Sequence, residues 1–116
     1  MKDVEISLDT INIQPQKQIH GTIRTSYRGR YDGIVINTQI LDSNELLEYD
    51  TCNGKNIEKS VTRLFIPRDL IQEGVAEFTA FIRFEPKKTH DVKFRVSIIE
   101  QHKEVESNHI FAKYSI

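Results

Sequence analysis

The sequence predicts an all-β fold, an immunoglobulin-like antiparallel β-sandwich of seven or eight strands. Three stretches in the second half alternate apolar and polar residues, at positions 76–85, 92–98 and 109–116. Successive side chains on a strand point to opposite faces, so each stretch is expected to bury one face. Turn residues recur at spacings typical of a sandwich, and an apolar content of 38% suits two layers that cover each other.

Five shorter stretches of the same kind precede them and are separated by polar turns. They cover residues 4–8, 19–27, 34–40, 46–49 and 61–66. Ile11 and Ile13 form a short extended piece that stops at Pro15, which has no N–H to donate to a neighbouring strand. Gly21 lies inside the second stretch, where a glycine often marks a bulge or a close approach of two backbones.

Two turn regions are indicated by glycine and proline. Asn53-Gly54 is a two-residue hairpin signal because both residues tolerate positive φ, although their polar flanks fit a longer irregular loop equally well. From Pro67 to Gly74, proline suits a first helical turn and glycine suits the position after the last. We expect a single helical turn in this segment.

Length and composition predict one domain over residues 1–116. The 16 basic and 17 acidic residues give a net charge of −1, which does not indicate a nucleic-acid or membrane partner. Cys52 is the single cysteine, so an internal disulfide is excluded. The charged N-terminus does not resemble a signal peptide, and no apolar run could span a membrane. These features predict a cytoplasmic protein.

Several short motifs occur in an order that is found in a known family. The run VEISLDTINIQPQKQIHGTIRTSY places Pro15 and Gly21 between alternating stretches, and DGIVI follows it. The later run LIQEGVAEFTAFIRFEPKKTHDVKFRVSII places Gly74 and Pro86 around an aromatic-rich strand. Over most of the chain this layout resembles the N-terminal lobe of the arrestin family, including its Vps26-like relatives. The chain has Pro15-Gln16 where the family usually has Pro-Gly, and one lobe where the family pairs two. The resemblance implies a sandwich lobe with a role in protein–protein adaptor work.

Candidate catalytic and metal-binding residues are few. The four histidines lack metal-ligand spacing, although His102 and His109 could approach each other across a hairpin and use Glu104 or Glu106 as further ligands. Cys52 has neither a helix N-terminus nor a cationic cluster beside it, so we expect an unreactive free thiol. The sequence therefore predicts neither an enzyme nor a cofactor.

Aromatic and basic residues alternate in one turn. The turn Tyr27-Arg28-Gly29-Arg30-Tyr31 has the side chains that stack on bases and neutralise phosphates. Lys87 and Lys88 would extend this patch if their loop lies at the same end of the sandwich. The alternative function is accordingly a nucleic-acid-binding β-module. An ordinary solvated hairpin turn fits the slightly negative net charge better.

Two apolar residues interrupt the polar, outward positions of the alternating stretches. They are Phe81 and Ile99, and on neighbouring strands they would form an apolar patch flanked by Arg83, Lys93 and Arg95. A covering loop or a local bulge would remove the patch.

The main prediction for function is a non-catalytic intracellular adaptor module that interacts with other proteins. It would bind a protein partner or a second copy through this outer face or through an edge strand. The sequence does not indicate a small-molecule ligand.

Overall fold

The computed structural model describes residues 3–116, except the side chains of residues 59–61, and it shows two packed β-sheets. Met1 and Lys2, which belong to the predicted charged N-terminus, lie outside the described residues. The strands are β1 Val4–Leu8, β2 Asn12–Ile13, β3 Ile19–Thr25, β4 Gly33–Ile40, β5 Glu48–Cys52, β6 Lys55–Val61, β7 Arg63–Pro67, β8 Val75–Phe81, β9 His90–Glu100 and β10 Lys103–Tyr114. The predicted β-sandwich is confirmed.

Each sheet has five strands in the described part of the chain. Sheet A has the order β1-β3-β8-β5-β6, and sheet B has the order β2-β10-β9-β4-β7. The pairs are antiparallel except for β2 with β10, which run parallel. After β1, the chain leaves sheet A and joins the edge of sheet B as β2.

The described residues form ten strands where the sequence predicted seven or eight, because two short segments also find partners. Ile11 and its neighbours join sheet B, since the Ile11 carbonyl accepts a hydrogen bond from the Lys113 N–H at 2.7 Å. Asn53 and Gly54, with φ of 51° and 81°, form the hairpin turn between β5 and β6. The hairpin alternative is therefore the observed one. The predicted helical turn is a single 3-10 turn at Arg68–Leu70.

The core lies between the sheets and contains the apolar residues of each alternating strand. Phe78 is at its centre: its ring lies 5.5 Å from the ring of Tyr49 and 6.4 Å from that of Phe94. Fully burying such a side chain contributes about 1.5–3 kcal/mol. The Phe78 ring also fills the space above Gly21, where an added Cβ would lie 2.3 Å from the ring.

The loops gather at two ends of the sandwich, separated by the eleven residues of β9. That length corresponds to roughly 35 Å. The first end carries the loops at 26–32 and 68–74, which are joined by a hydrogen bond from the Arg68 N–H to the Asp32 carbonyl at 3.0 Å. The second end carries the loops at 41–47 and 82–89. Two loops can contribute to one site only if they lie at the same end.

Substitution of Gly21 by alanine tests the packing at the centre. Gly21→Ala should lower the free energy of unfolding by about 1–3 kcal/mol, because the new Cβ displaces the Phe78 ring in a closely packed core. Urea denaturation measures the change. Thr22→Ala, at the next position and on the opposite face of β3, is the matched control and should cost less. Equal losses in the two variants would contradict the close contact.

Candidate functional site

The outward side chains of sheet B form the more apolar of the two outer surfaces. Phe65 and Phe111 remain 44% and 48% exposed on it. We call this surface the sheet B face and define it by six residues on β7, β9 and β10: Phe65, Lys93, Arg95, Ile99, His109 and Phe111. Exposed aromatic residues combined with arginine are typical of protein interaction surfaces.

The pairing of the strands determines where these side chains lie. On β10, Phe111 lies opposite Lys93 and His109 lies opposite Arg95. The rings of His109 and Phe111 pack edge to face, with their centroids 5.5 Å apart. The face therefore combines aromatic and basic groups along the β9–β10 pair.

A second apolar part of the face lies toward β7. The Phe65 ring covers Gly33, where an added Cβ would lie 2.6 Å from the ring. Gly33 pairs with Ile99 on the neighbouring strand, so Phe65 and Ile99 lie on either side of a position without a side chain. Glycine here allows the ring to lie flat across β4.

A polar network fixes the charged groups at the middle of the face. Arg95 donates to Glu104 at 2.7 Å and to Ser107 at 3.3 Å, and Ser97 donates to the other Glu104 oxygen at 2.8 Å. The register shift between Glu104 and Glu106 places Glu104 opposite Ile99 on the outer side. Because both charged side chains are more than a third exposed, the pair adds at most about 1 kcal/mol of stability. Its main effect is to hold the guanidinium group in place.

The outer surface of sheet A is polar by comparison. It carries residues such as Thr22, Thr51, Glu77 and Thr79, and the hydroxyls of Thr51 and Thr79 lie 2.6 Å apart. Phe81 is half-buried at the end of β8, with the Arg83 guanidinium 5.2 Å from its ring. Sheet A therefore presents less apolar surface to a partner.

The predicted patch of Phe81 with Ile99 is not formed, and that prediction was wrong. Phe81 ends β8 in sheet A, whereas Ile99 lies on β9 in sheet B. Consecutive strands usually pair, but here the loop at 82–89 crosses from one sheet to the other. Phe81 and Arg83, which pairs with Glu48 at 2.6 Å, thus lie apart from the remaining predicted residues. Ile99, Lys93 and Arg95 share the sheet B face.

Phe65 and Phe111 were missed by the sequence reasoning, although the necessary signal was present. Leu64 and Ile66 are buried, so Phe65 between them points outward. Ala112 and Tyr114 are buried in the same way, and Phe111 has the opposite parity. Ile99 was identified by a search for apolar residues at the outward positions of a strand. The same search on β7 and β10 would have identified both phenylalanines.

The aromatic and basic turn lies at the first end and is largely occupied by its own contacts. The rings of Tyr27 and Tyr31 lie 6.0 Å apart, nearly perpendicular, and the Arg68 guanidinium lies 4.8 Å from the centre of the Tyr31 ring. Gly29 folds against Tyr27 so closely that an added Cβ would lie 2.6 Å from the tyrosine oxygen. Arg28 and Arg30 are exposed.

Lys87 and Lys88 do not join this turn, so the combined patch was predicted incorrectly. Lys88 lies 3.7 Å from Asp42, at the second end of the sandwich. The whole length of β9 separates the two loops. A nucleic-acid surface could therefore include Tyr27, Arg28, Arg30 and Tyr31 with Arg68, but not the two lysines.

The predicted approach of His102 to His109 does not occur. His102 occupies the turn between β9 and β10, and His109 lies seven residues further along an extended strand, roughly 20 Å away. Among residues 3–116 the structure brings no three histidine, cysteine or acidic side chains together as a metal site. Cys52 ends β5 half-buried, and burial raises the pKa of its thiol.

Among the described residues 3–116, no helix has the length and apolar character needed to cross a membrane. No protein-family model and no curated protein sequence matches the chain.

Several solved structures are similar in fold. A conjugative transposon lipoprotein from Bacteroides eggerthii is 8% identical, with 98% of each chain covered and a TM-score of 0.53. WR4, a member of the MSP family from C. elegans, is 8% identical over 99% of this chain and 98% of its own, with a TM-score of 0.51. The Salmonella SafD adhesin is 10% identical over 99% of each chain, with a TM-score of 0.54. At these identities the likeness shows the fold alone.

The resemblance to an arrestin or Vps26-like lobe was wrong, because the similar structures include a conjugative transposon lipoprotein, a conjugate transposon protein, a further lipoprotein, an MSP protein and an adhesin. Local packing explains why glycine occurs at the positions on which that resemblance was based. Gly21 accommodates Phe78, and Gly74 has a φ of 75° with its Cα beside the Thr25 carbonyl. Pro86 is buried in the loop that crosses between the sheets. A sandwich outside that family can meet the same packing constraints.

The cytoplasmic assignment was also wrong, since the similar structures include lipoproteins and an adhesin. The inference rested on the composition of the N-terminal residues and on a single cysteine, neither of which identifies a compartment. The chain has an immunoglobulin-like β-sandwich, and its fold is similar to those of a lipoprotein, a reeler domain, an MSP family member and an adhesin.

Proposed function

We propose that this chain is a non-catalytic protein-interaction module, a single β-sandwich domain that binds a partner protein through the sheet B face. The observation that carries the proposal is the presence of two half-exposed phenylalanines, Phe65 and Phe111, on one face. Single exposed apolar residues are ordinary on protein surfaces. Phe65 and Phe111, together with Ile99, are apolar groups on one sheet face that a partner surface could cover.

The chemistry of the face indicates the kind of partner that it suits. Lys93, Arg95 and His109 lie between the two phenylalanines, and Arg95 is held in position by Glu104. Aromatic residues and arginine are enriched at the centres of protein interfaces. The complementary partner surface has apolar side chains that cover Phe65 and Phe111, with an acidic group between them that reaches Lys93.

The fold is consistent with such a role. The Salmonella structure is that of an adhesin, and the sandwich in it is of about the same extent as this chain. A fold alone is weak support for a function, so the proposal depends on the side chains of the sheet B face.

Site-specific photo-crosslinking in the native host tests the sheet B face. A photoreactive phenylalanine analogue at Phe111 should give a discrete crosslinked protein, whereas the same analogue at Thr22, on the outer surface of sheet A, should not. An excess of unlabelled wild-type chain should remove the product, because it competes for the same partner. A competitor carrying Phe65→Ser and Lys93→Glu should be at least about tenfold less effective, since the loss of one buried apolar side chain amounts to roughly that factor.

Two results would contradict this proposal. One is equal crosslinking from positions 111 and 22, and the other is equal competition by the wild-type and substituted chains. Circular dichroism of the substituted chain is the control for folding. Light scattering identifies a product formed by a second copy, which would make the partner the chain itself.

The second candidate function, nucleic-acid binding at the Tyr27–Tyr31 turn, leads to a separate prediction. Both rings already pack against protein groups, so a base could stack only by displacing Tyr31 or Arg68. Fluorescence anisotropy with labelled oligothymidine at low salt should show no saturable binding at micromolar concentrations. Binding that disappears both at raised salt and in the Arg28→Ala, Arg30→Ala variant would favour this candidate instead.

The rate at which the Cys52 thiol is alkylated tests the prediction that Cys52 is not a catalytic nucleophile. Burial raises the pKa of the thiol, so the reactive thiolate is scarcer at neutral pH than in a free thiol. At pH 7, iodoacetamide should alkylate Cys52 of the native protein more slowly than it alkylates the thiol of glutathione. The rate for Cys52 should continue to rise above pH 9. Denatured protein provides the control, because it should react like glutathione. Faster alkylation of the folded protein at pH 7 would indicate an activated nucleophile.

A further inference from the structure

The turn between β5 and β6 consists of an asparagine followed by a glycine, and both residues are exposed. An asparagine that precedes glycine is especially prone to spontaneous deamidation, because glycine has no side chain to hinder the attack of its main-chain nitrogen on the asparagine side chain. Among the described residues, none places an atom within 4 Å of the position that a Cβ on Gly54 would occupy. The turn is therefore open to water and to this reaction.

The side chain of Asn53 links the turn to two other parts of the chain. Its Nδ2 donates to the Leu70 carbonyl at 2.6 Å, and its Oδ1 accepts from the Glu77 N–H at 2.8 Å. The main-chain N–H of Asn53 donates to the Glu77 carbonyl, also at 2.8 Å. The side-chain oxygen therefore extends the pairing of β5 with β8 by one residue, while the side-chain nitrogen holds the loop at 68–74.

The bond to Leu70 fastens this loop at its middle. At its beginning the loop is anchored by the Arg68 N–H, and at its end the Gly74 carbonyl accepts from the Thr25 N–H at 2.8 Å. Between these two anchors, the Leu70 carbonyl is held by Asn53 from a different part of the chain. Loss of the donor on Asn53 would therefore leave the two ends of the loop in place and free its middle.

A cleft of about 380 Å³ lies between the loop and the turn, and the half-buried Cys52 is one of its lining residues. Leu70 and Gln72 line the same cleft from the side of the loop. Cys52 packs against the edge of the core, so a reagent reaches its thiol only through this end of the sandwich. Access to the thiol therefore depends on where the middle of the loop lies.

We propose that Asn53 is a site of spontaneous deamidation, and that its conversion releases the middle of the loop and opens the cleft at Cys52. The Gly54 nitrogen attacks the Cγ of Asn53 and loses its proton, ammonia leaves, and a cyclic succinimide forms. Water then opens the ring to give aspartate or isoaspartate. One water molecule is consumed and one ammonia molecule is released, so the reaction requires no oxidant, reductant or enzyme. The proposal is independent of the sheet B face.

Both products break the link to the loop. A carboxylate has no proton to donate, so the Leu70 carbonyl loses its partner and faces a negative charge instead. Isoaspartate also lengthens the main chain of the turn by one carbon atom, which disrupts a two-residue hairpin. In the unmodified chain, the two hydrogen bonds of the Asn53 side chain hold its amide away from attack, so the loop must open before the reaction proceeds. The change is then irreversible.

Mass spectrometry of the chain incubated at pH 8 and 37 °C tests the modification itself. Peptides that contain Asn53 should gain 1 Da, and chromatography should separate the aspartate and isoaspartate forms. The folded chain should react at least about tenfold more slowly than the chain unfolded in urea, because its loop opens only transiently. Asn56, which lies in the same hairpin before an isoleucine, is the internal reference and should remain unmodified.

Asn53→Asp, a uniform substitute for one product, tests the release of the loop. Iodoacetamide at pH 7 should alkylate Cys52 in this variant at least about threefold faster than in the wild-type chain, and no faster than it alkylates glutathione. Asn53→Gly, which suits the positive φ and removes both side-chain bonds, should show the same increase. The matched control is Asn56→Asp, which adds the same charge to the hairpin and should react as the wild-type chain does. Circular dichroism checks that each variant is folded.

Three results would overturn the proposal. Retention of Asn53 in the folded chain over about a hundred half-times of the unfolded chain would show that the site is not modified in the native protein. Equal rates in the folded and unfolded chains would show that the loop does not protect the amide. Equal alkylation of Cys52 in the wild-type chain and in both Asn53 variants would show that the cleft does not open. Each of these results would leave the sheet B face unaffected.

Discussion

The packing of Phe78 across the interior is the constraint on which the rest of the sandwich depends. Its ring fills the space above Gly21 in its own sheet and contacts Tyr49, while Phe94 approaches it from sheet B. Because side chains alternate along a strand, one inward residue fixes the direction of every other residue on β8. A slip of one residue would place Glu77 and Thr79 in the core. The residues that are buried at the centre therefore determine which side chains lie on the outer surfaces of both sheets.

The same alternation explains what the sequence could and could not predict. It identified the sandwich, most of the strands and the inward residues, since these depend only on neighbours along the chain. It could not tell which strands share a sheet, because that depends on whether the loop at 82–89 turns back or crosses. Phe81 and Ile99 were assigned to one patch for that reason, and Lys87 was assigned to the wrong end. The outward positions of Phe65 and Phe111 could be predicted without knowing which strands share a sheet, because the alternation within their own strands was sufficient.

The turn residues show why a family resemblance can mislead in a small sandwich. Gly21 is required by a ring, Gly33 lies beneath Phe65, and Gly74 has a φ of 75°. Each requirement is local, and a sandwich outside that family can meet it. Glycines and prolines at such spacings indicate the architecture, and they do so correctly here. They do not identify what an outer face binds.

The edges of the sheets impose a further constraint, which the chain meets in an unusual way. An unpaired edge readily recruits another strand, so proteins commonly cover or charge it. Here the chain passes from sheet A to sheet B between β1 and β2, and β1 lies beside β10 without pairing with it in one sheet. Asn108 on β10 links the two strands with its side-chain amide, which donates to the Val4 carbonyl and accepts from the His109 N–H. A side-chain amide can rotate away, whereas a paired strand must be displaced along its whole length. Closure by Asn108 therefore covers the edges of β1 and β10 with a side chain rather than with a further strand.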